Sequence, residues 1–329
     1  MQLFPSRTLR STFGFAAIVA LTLLAFQSAF AQPSSTWTQI KTGKHTPSPR
    51  DGFVMFYDPI SLNTILFGGW DGSNHLNDTW AFDGKRWTQV PTSVAPPARA
   101  GATAAYDSTL KQAVLFGGFN GNYLNDTWIW DGSTMTWTQA TPAHSPVPET
   151  LPMAFPDPRS GHADLFGGYD GRFYQSTTWR WKNGDWHRLH PKTSPYARAA
   201  AVIGTNPALK QTVVFGGLAD VNPHNTWTFD GHNWTLQSPQ TQPNQTLLVS
   251  AVYDPRFSGV VFFGGFDGQD DNQTWVWDGT NWAQLFPQQS PPPREQFGMV
   301  HNPYTQQTIV FGGLDGNDLL RDTWVLKTQ

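Results

Sequence analysis

Cysteine is absent from this chain of 329 residues, and charged side chains make up only 14% of it. Without cysteine there can be no disulfides, thiolate nucleophiles, cysteine-ligated zinc or iron–sulfur clusters. A formal net charge of −3 is too small to favour binding to nucleic acid or to an anionic membrane surface. Glutamate occurs only at Glu149 and Glu295. No glycine-rich phosphate loop, serine-centred nucleophile elbow or metal-ligand spacing is found, so no cofactor is expected.

Aromatic residues and turn formers are abundant instead. The chain has sixteen Trp, eight Tyr and twenty-three Phe, together with thirty Gly and twenty-six Pro. Hydrophobic residues reach 39%, which excludes disorder as the main state. Many aromatics among many turn formers predict an all-β protein of short strands.

The first thirty-one residues have the layout of a secretory signal peptide. Arg7 and Arg10 precede an apolar run from Phe13 to Phe26, and Ala29-Phe30-Ala31 forms a processing site. The alternative is an uncleaved anchor, but the run is shorter than the roughly 20 residues that a membrane span needs. We therefore predict a secreted or periplasmic protein that runs from residue 32 to 329, with no membrane span in the mature chain.

Six copies of one unit follow. The tripeptide Phe-Gly-Gly recurs every 48–50 residues, beginning at Phe67, Phe116, Phe166, Phe215, Phe263 and Phe311. Each copy reads as four short strands, and a period near 50 with four strands is typical of a β-propeller blade. The sixth copy lacks its fourth strand, whereas Trp37-Thr38-Gln39-Ile40 near the N-terminus copies Trp87-Thr88-Gln89-Val90.

These features predict an all-β, six-bladed propeller with four-stranded blades, its last blade closed by the N-terminal strand. Residues 32–329 would form a single domain. The repeats run approximately over 47–95, 96–145, 146–194, 195–242, 243–290, and 291–329 together with 32–46. Such a ring has no open sheet edge through which copies could aggregate, and a monomer is expected.

The repeated columns resemble the kelch repeat. Phe67-Gly68-Gly69, then Phe82-Asp83, then Trp87 carry the likeness in the first copy, and it extends over all six copies. This resemblance implies a six-bladed kelch-type propeller of the exported, bacterial type. It leaves the function open, because kelch propellers serve as binding modules, scaffolds and enzymes. The copper-radical kelch oxidases need a Cys–Tyr crosslink, which a chain without cysteine cannot form.

Residues present in every copy are expected to serve the blade. The Thr-Trp and Trp-Thr columns are predicted to be core, and the Asp-Gly and Asn-Asp-Thr columns are assigned to turns. The connections from second to third strand and from fourth strand to the next blade share one side of the ring, which we call the long-loop face. Binding sites concentrate on loops of this kind.

One column lies on this face where each innermost strand begins. Its members are Arg50, Arg99, Glu149, Arg198, Thr246 and Arg294. Four guanidiniums at a channel mouth would attract an anion and could bind carboxylates with paired hydrogen bonds. The alternative is structural: each arginine bonds carbonyls of neighbouring loops, with Glu149 as a local ion-pair partner.

A second column opens the loop after Gly-Gly. It consists of Trp70, Phe119, Tyr169, Leu218, Phe266 and Leu314. Its four aromatics, beside four arginines, could hold a sugar, a peptide or an aromatic acid; the alternative is packing against the neighbouring blade. Kelch propellers that bind peptides contact them through these two kinds of position, so the resemblance adds weight to this site.

Three functions remain open. The first is a binding module whose long-loop face and channel mouth take an unknown protein, peptide or glycan ligand, for which an anionic group is one expectation. The second is a sugar-active enzyme, of the mutarotase or epimerase kind, acting on acidic sugars. No catalytic residue is assigned, but such an enzyme would use Glu149 with Arg99 and Arg198 for acid–base and carboxylate contacts. The third is a structural surface protein.

Overall fold

Each repeat folds into one antiparallel sheet of four strands in the computed structural model, which describes residues 33–221, 223–244, 246–316 and 318–328. The predicted signal peptide, residues 1–31, lies outside the described residues. The described residues contain a short 3-10 helix at Pro255–Phe257, and no helix among them is long and apolar enough to cross a membrane.

The strands follow one another in chain order, beginning with β1 (Ser35–Ile40). Blade 1 contains β2 (Val54–Asp58), β3 (Asn63–Trp70), β4 (His75–Phe82) and β5 (Trp87–Val90). Blade 2 contains β6 (Thr103–Asp107), β7 (Gln112–Phe116), β8 (Thr127–Asp131) and β9 (Thr136–Ala140). Blade 3 contains β10 (Met153–Pro156), β11 (Ala163–Phe166), β12 (Thr178–Lys182) and β13 (Asp185–Leu189).

The last three blades repeat this order. Blade 4 contains β14 (Val202–Asn206), β15 (Gln211–Phe215), β16 (Thr226–Phe229) and β17 (Trp234–Leu236). Blade 5 contains β18 (Ala251–Asp254), β19 (Gly259–Phe266), β20 (Asp270–Trp277) and β21 (Trp282–Leu285). Blade 6 contains β22 (Gly298–Asn302), β23 (Gln307–Asp315) and β24 (Asp318–Thr328), and β1 completes it.

The N-terminal strand closes the ring as the sequence predicts. Strand β1 pairs antiparallel with β24, and Trp37 lies opposite Leu326. The first strand of each blade contacts the first strand of the next, including β2 with β22. The predicted all-β propeller of six four-stranded blades, its last blade closed by the N-terminal strand, is therefore confirmed.

The Gly-Gly pair after each second strand lets neighbouring backbone approach. Gly68 and Gly69 have φ of +71° and +105°, and a Cβ added at Gly69 would lie 2.6 Å from the carbonyl oxygen of Asp51. A Cβ at Gly68 would lie 2.9 Å from the carbonyl oxygen of Arg99 in blade 2. Only glycine fits both the conformation and the space. The pair therefore lets the segments at Asp51 and Arg99, which precede the first strands of blades 1 and 2, pack against the end of β3.

The tryptophan of each fourth strand links two blades. Its indole Nε1 donates to a threonine Oγ1 on the third strand of the preceding blade at 2.9–3.2 Å. The six pairs are Trp87–Thr323, Trp137–Thr79, Trp186–Thr127, Trp234–Thr178, Trp282–Thr226 and Trp37–Thr274. These six tryptophans are at most 2% exposed, so the Trp-Thr column is core as predicted.

The Thr-Trp column is only partly core. Its threonines are buried, and so are Trp128 and Trp324. The other four tryptophans of this column are half-buried: Trp80, Trp179, Trp227 and Trp275. The prediction of a fully buried column is therefore wrong for these four indoles.

A ring of backbone hydrogen bonds surrounds the channel on the long-loop face. The ring is formed by one residue per blade, two positions after the column of Arg50. The N–H of each donates to the carbonyl oxygen of the equivalent residue in the preceding blade at 2.7–3.0 Å. The members are Gly52, Gly101, Leu151, Ala200, Leu248 and Gln296, and the N–H of Gly52 returns to the carbonyl of Gln296. All six have φ between +52° and +65°. Four of them are not glycine, which strains the backbone by roughly 1–2 kcal/mol each, so the packing around the mouth holds this geometry firmly.

The six innermost strands enclose a channel with a volume of about 880 Å³. Small and apolar residues such as Ala102, Ala104 and Ala154 line it, together with the backbone ring. The channel therefore offers few polar groups of its own near the long-loop face.

Candidate functional site

The four arginines of the first column are buried. Each has an exposed fraction of 0 or 1%, and among the described residues that line the channel none of the four occurs. The expectation that free guanidiniums ring the channel mouth is therefore wrong in its geometry. Their part in ligand binding stays a prediction.

Arg99 shows what the guanidiniums do. Its Nη1 donates to Oδ1 of Asp126 at 2.6 Å, and its Nη2 donates to Oδ2 at 2.7 Å. Nη1 also donates to the carbonyl of Gly117, and Nε donates to the carbonyl of Pro97. The indole Nε1 of Trp128 donates to Oδ2 of the same aspartate at 2.7 Å. The arginine thus ties the entrance of the first strand to the Gly-Gly pair and to the start of the third strand.

Blades 1 and 6 repeat this network. The corresponding trios are Arg50–Asp78–Trp80 and Arg294–Asp322–Trp324. Burial acts to raise the pKa of each aspartate, but the hydrogen bonds and charge of its arginine hold that pKa below the ordinary value. The assignment of the Asn-Asp-Thr column to turns is wrong for Asp78 and Asp126, because their carboxylates pair with arginine.

The arginine column and the column of its aspartate partners change together from blade to blade. Blades 1, 2 and 6 have Arg with Asp, blade 4 has Arg198 with Asn225, blade 3 has Glu149 with Thr177, and blade 5 has Thr246 with Gln273. Where the arginine is lost, the aspartate is lost too. In blade 4 the single Oδ1 of Asn225 accepts from Nη2 of Arg198 at 3.0 Å, and burial lowers the pKa of that arginine to about 10.

Blade 4 therefore gives a direct test of the pairing. We expect Asn225→Asp to raise the free energy of unfolding by about 1–2 kcal/mol, because a carboxylate gives the buried guanidinium two charge-assisted hydrogen bonds. Urea unfolding measures the change, and the reverse substitution Asp78→Asn in blade 1 is the matched control, expected to lower stability. An unchanged or lower midpoint for Asn225→Asp would show that Arg198 needs no carboxylate.

Glu149 is also buried, and it forms no ion pair in the part of the chain that the structure describes. It is 1% exposed, and its Oε2 has no hydrogen-bond partner. A Cβ added at Gly168 would lie 2.5 Å from that oxygen, so the carboxyl group rests on the Gly-Gly pair of blade 3. Burial, helped by the charge of Asp170, raises the pKa of Glu149 to about 9. The acid is neutral at pH 7.

The structural alternative for this column is therefore confirmed only in part. The arginines do bond neighbouring carbonyls, but Glu149 is no ion-pair partner for them. The arrangement of Glu149 with Arg99 and Arg198, expected for an acid–base site, is also not formed: Arg99 pairs with Asp126, and Arg198 contacts Asn225.

Two further carboxyl groups lie where the innermost strands of blades 1 and 6 begin. Asp51 and Glu295 are each 9% exposed, and Oε2 of Glu295 has no partner. Burial raises the pKa of Asp51 to about 6. Burial also raises the pKa of Glu295, to which the charges of Asp270 and Asp51 add. The mouth of the propeller thus carries unpaired acids where cations were expected.

The aromatic column forms a continuous surface over three blades. We call this surface the aromatic arc; it consists of Trp70, His75, Phe119, Tyr123, Tyr169 and Tyr174, all half-buried. Successive ring centroids lie 4.8–6.1 Å apart along that order. Rings therefore contact both their own loop and the next blade, and each still exposes part of its face or edge.

Sequence reasoning found only half of this arc. Trp70, Phe119 and Tyr169 were predicted, whereas Phe266 lies apart in blade 5 and pairs through its backbone with Leu247. The missed rings, His75, Tyr123 and Tyr174, lie four or five residues after the column on the returning arm of the same loop. The cross-strand pairs between the two arms bring them together.

A buried charge network in blade 3 was also missed. Arg180 donates to both oxygens of Asp164, at 2.8 and 2.7 Å, and to Oδ2 of Asp157 at 2.5 Å. Burial raises the pKa of Asp164 to about 7 despite the hydrogen bonds of Arg180. Asp164 stands two residues before Phe-Gly-Gly, where every other blade has Val or Ile, so this break in the repeat was a visible signal.

Comparison with known proteins supports the repeat assignment. A family model described as the KLHDC2/KLHL20/DRC7 Kelch-repeats domain matches residues 20–163. No curated protein matches the chain. The matched segment includes the first two blades, and the four remaining sheets repeat their strand order.

Proposed function

The chain is a kelch-repeat β-propeller, and from this premise we propose that it is a binding module whose long-loop face takes a polypeptide ligand. Kelch propellers generally mediate protein binding. The observation that carries the proposal is the aromatic arc, because half-exposed Trp and Tyr side chains on a rigid scaffold are the usual anchors of a protein interface. The predicted signal peptide adds the proposal that this binding occurs outside the cytoplasm.

The scaffold under the arc supports this proposal. Trp70, Phe119 and Tyr169 directly follow the Gly-Gly pairs, and their backbones pair with Asp51, Ala100 and Thr150, so the rings are held before a ligand arrives. A surface of this kind loses little conformational entropy on binding. The channel, with a volume of about 880 Å³, is lined mainly by apolar residues, and Tyr57, Tyr106 and Tyr253 are among its few polar ones.

A displayed random peptide library provides the test. We expect peptides selected on the wild-type protein to lose about tenfold or more in affinity for Tyr169→Ala and Trp70→Ala, as interface anchors do. The midpoint of unfolding should change little, because both rings are half-buried. Trp137→Ala is the control for a core ring and should lower stability by about 3–5 kcal/mol.

The opposite pattern would reject the site. If Tyr169→Ala and Trp70→Ala destabilise the protein as strongly as Trp137→Ala, the arc belongs to the packing between blades. Selection of no peptide that depends on the arc would equally contradict the proposal.

A further inference from the structure

The channel between the six innermost strands is a second concave surface, separate from the aromatic arc. One column of side chains lines it three residues before the Asp or Asn at the turn after each first strand: Met55, Ala104, Ala154, Ile203, Ala251 and Met299. Three of the six members are alanine, so half of the blades place only a methyl group there. These short side chains leave a cavity of about 880 Å³, which is within the range of small-molecule binding sites.

The channel opens to solvent on the side opposite the long-loop face, where the turns between first and second strands lie. Five residues of these turns line the channel and are exposed: Pro59, Ser108, Pro207, Pro255 and Pro303. Just inside this rim lie Tyr57, Tyr106 and Tyr253, which line the channel and are half-buried. We call this end of the channel, formed by the three tyrosines, the tyrosine mouth. A molecule from solvent reaches it without passing the backbone ring.

The phenols of the tyrosine mouth have unused capacity for hydrogen bonds. Within the described residues, the hydroxyls of Tyr57, Tyr106 and Tyr253 have no hydrogen-bond partner. Burial raises the pKa of Tyr57 and of Tyr106, and the negative charge of Asp58 adds to the effect. Both hydroxyls therefore keep their protons at neutral pH, so they can donate as well as accept.

Polar side chains deeper in the channel are bonded within the fold. Oγ1 of Thr103 accepts from the N–H of Ala154 at 3.0 Å. Oγ of Ser250 donates to the carbonyl of Phe297 at 3.0 Å. A polar group of a ligand would therefore find its partners at the tyrosine mouth, while an apolar body would lie deeper in the channel.

No unpaired charge lines the channel in the described part of the chain. Asp157 is 3% exposed and pairs with Arg180, and Arg159 lies 3.6 Å from the carboxylate of Asp230. Burial lowers the pKa of His301, which also lines the channel, so this side chain is uncharged at pH 7. A charged group that enters would lose its hydration without meeting an unpaired opposite charge, which is unfavourable. The lining therefore favours an uncharged ligand.

We propose that the channel binds an uncharged small molecule with an apolar body and a hydroxyl or carbonyl group, whose body lies among the alanines and whose polar group bonds the phenols of the tyrosine mouth. An apolar cavity with a few polar groups at one place is the usual form of a small-molecule site. The tyrosine rings also offer apolar contact beside their hydroxyls. This site goes beyond the polypeptide binding proposed above, because the two lie on opposite faces.

Probes that share one ring system test the class of ligand. 2-Naphthol carries a hydroxyl and naphthalene carries none, while 2-naphthoate is an anion and 2-naphthylmethylammonium a cation at neutral pH. In equilibrium dialysis against the protein, we expect 2-naphthol to bind about tenfold or more tightly than either charged probe, because a buried charge has no partner in the channel.

Variants of the protein locate the contact. Tyr106→Phe and Tyr253→Phe each remove a hydroxyl and keep the ring, so the affinity for 2-naphthol should fall about threefold to tenfold and that for naphthalene should not change. Tyr196→Phe, at an exposed tyrosine that does not line the channel, is the matched control and should change neither. Ala104→Leu and Ala154→Leu narrow the channel and should weaken both neutral probes. Melting curves show that each variant is folded.

Three results would overturn the inference. They are equal binding of neutral and charged probes, neutral probes insensitive to the folded tyrosine and alanine variants, and no binding of either neutral probe up to its solubility. If Trp70→Ala removes the binding of 2-naphthol and the tyrosine variants do not weaken it, the probe lies on the aromatic arc and the channel site is rejected. Peptide binding is measured with other ligands and other variants, so failure of the binding module and failure of the channel site are distinguishable.

Discussion

Replacing Asp126 with alanine is expected to lower the free energy of unfolding by about 3–5 kcal/mol. The substitution removes both carboxylate contacts of the buried Arg99 guanidinium and the acceptor for the Trp128 indole. Removing one partner of a buried ion pair is strongly destabilising, because the remaining charge stays in a site of low polarity. The Asp126 side chain keeps 21% exposure, so we expect the lower part of this range. Urea unfolding at neutral pH measures the change.

Two controls separate burial from charge. Asp126→Asn reproduces the Arg198–Asn225 arrangement of blade 4 and should be less destabilising than alanine, because one amide oxygen can still accept a hydrogen bond. Arg159→Ala removes an ion pair with Asp230 in which both side chains are about half exposed, and exposed pairs contribute at most about 1 kcal/mol. If Asp126→Ala melts like the wild-type protein, Asp126 does not hold the guanidinium of Arg99. The hypothesis that the arginine column binds an anionic ligand would then be supported again.

The fold could be predicted from the sequence because the repeated motifs specify contacts between strands that are close along the chain. Phe-Gly-Gly, the hairpin turn and the spaced tryptophan each specify a contact within one blade or with its neighbour, and six copies specify the ring. The closing strand was also predictable, since Trp37 copies the role of Trp87 and its indole reaches Thr274 just as Trp87 reaches Thr323.

The arginine column shows where this reasoning fails. Spacing along a strand places the backbone of Arg50 near the channel mouth, but it does not say which side chain the guanidinium meets. The partner, Asp78, is 28 residues away in a column that had been assigned to turns. The paired changes across blades, Arg with Asp or Glu with Thr, carried this information, and comparing columns with one another would have revealed it.

Glu149 makes the stability of the folded protein depend on pH. The folded state holds a proton on Glu149 up to about pH 9, whereas the unfolded chain releases it near the ordinary pKa of 4.5. Between these values the folded state binds more protons, so the free energy of unfolding falls as pH rises. At about 1.4 kcal/mol per pKa unit, the total effect amounts to several kcal/mol.

Other buried acids change stability in the same direction but over lower ranges. The pKa of Asp51 is raised to about 6 and that of Asp164 to about 7, so their effects are largely complete by pH 7. Of the acids with a stated pKa, Glu149 is therefore the one whose ionisation dominates the interval from pH 7 to 9. Thermal unfolding measured across this interval should show a falling melting temperature for the wild-type protein.

Glu149→Gln cannot ionise, so we expect its melting temperature to stay nearly constant from pH 7 to 9 and to exceed that of the wild-type protein by the largest margin at pH 9. The exposed Asp220→Asn removes one negative charge from the same face and should keep the wild-type pH dependence. A wild-type protein whose stability is flat over this interval would show that Glu149 is ionised in the folded state. A Gln variant that falls in parallel with the wild type would show that a different group titrates over this interval. An ionised Glu149 would return the carboxylate to the ion-pair role first considered for it, because a buried charge needs a partner.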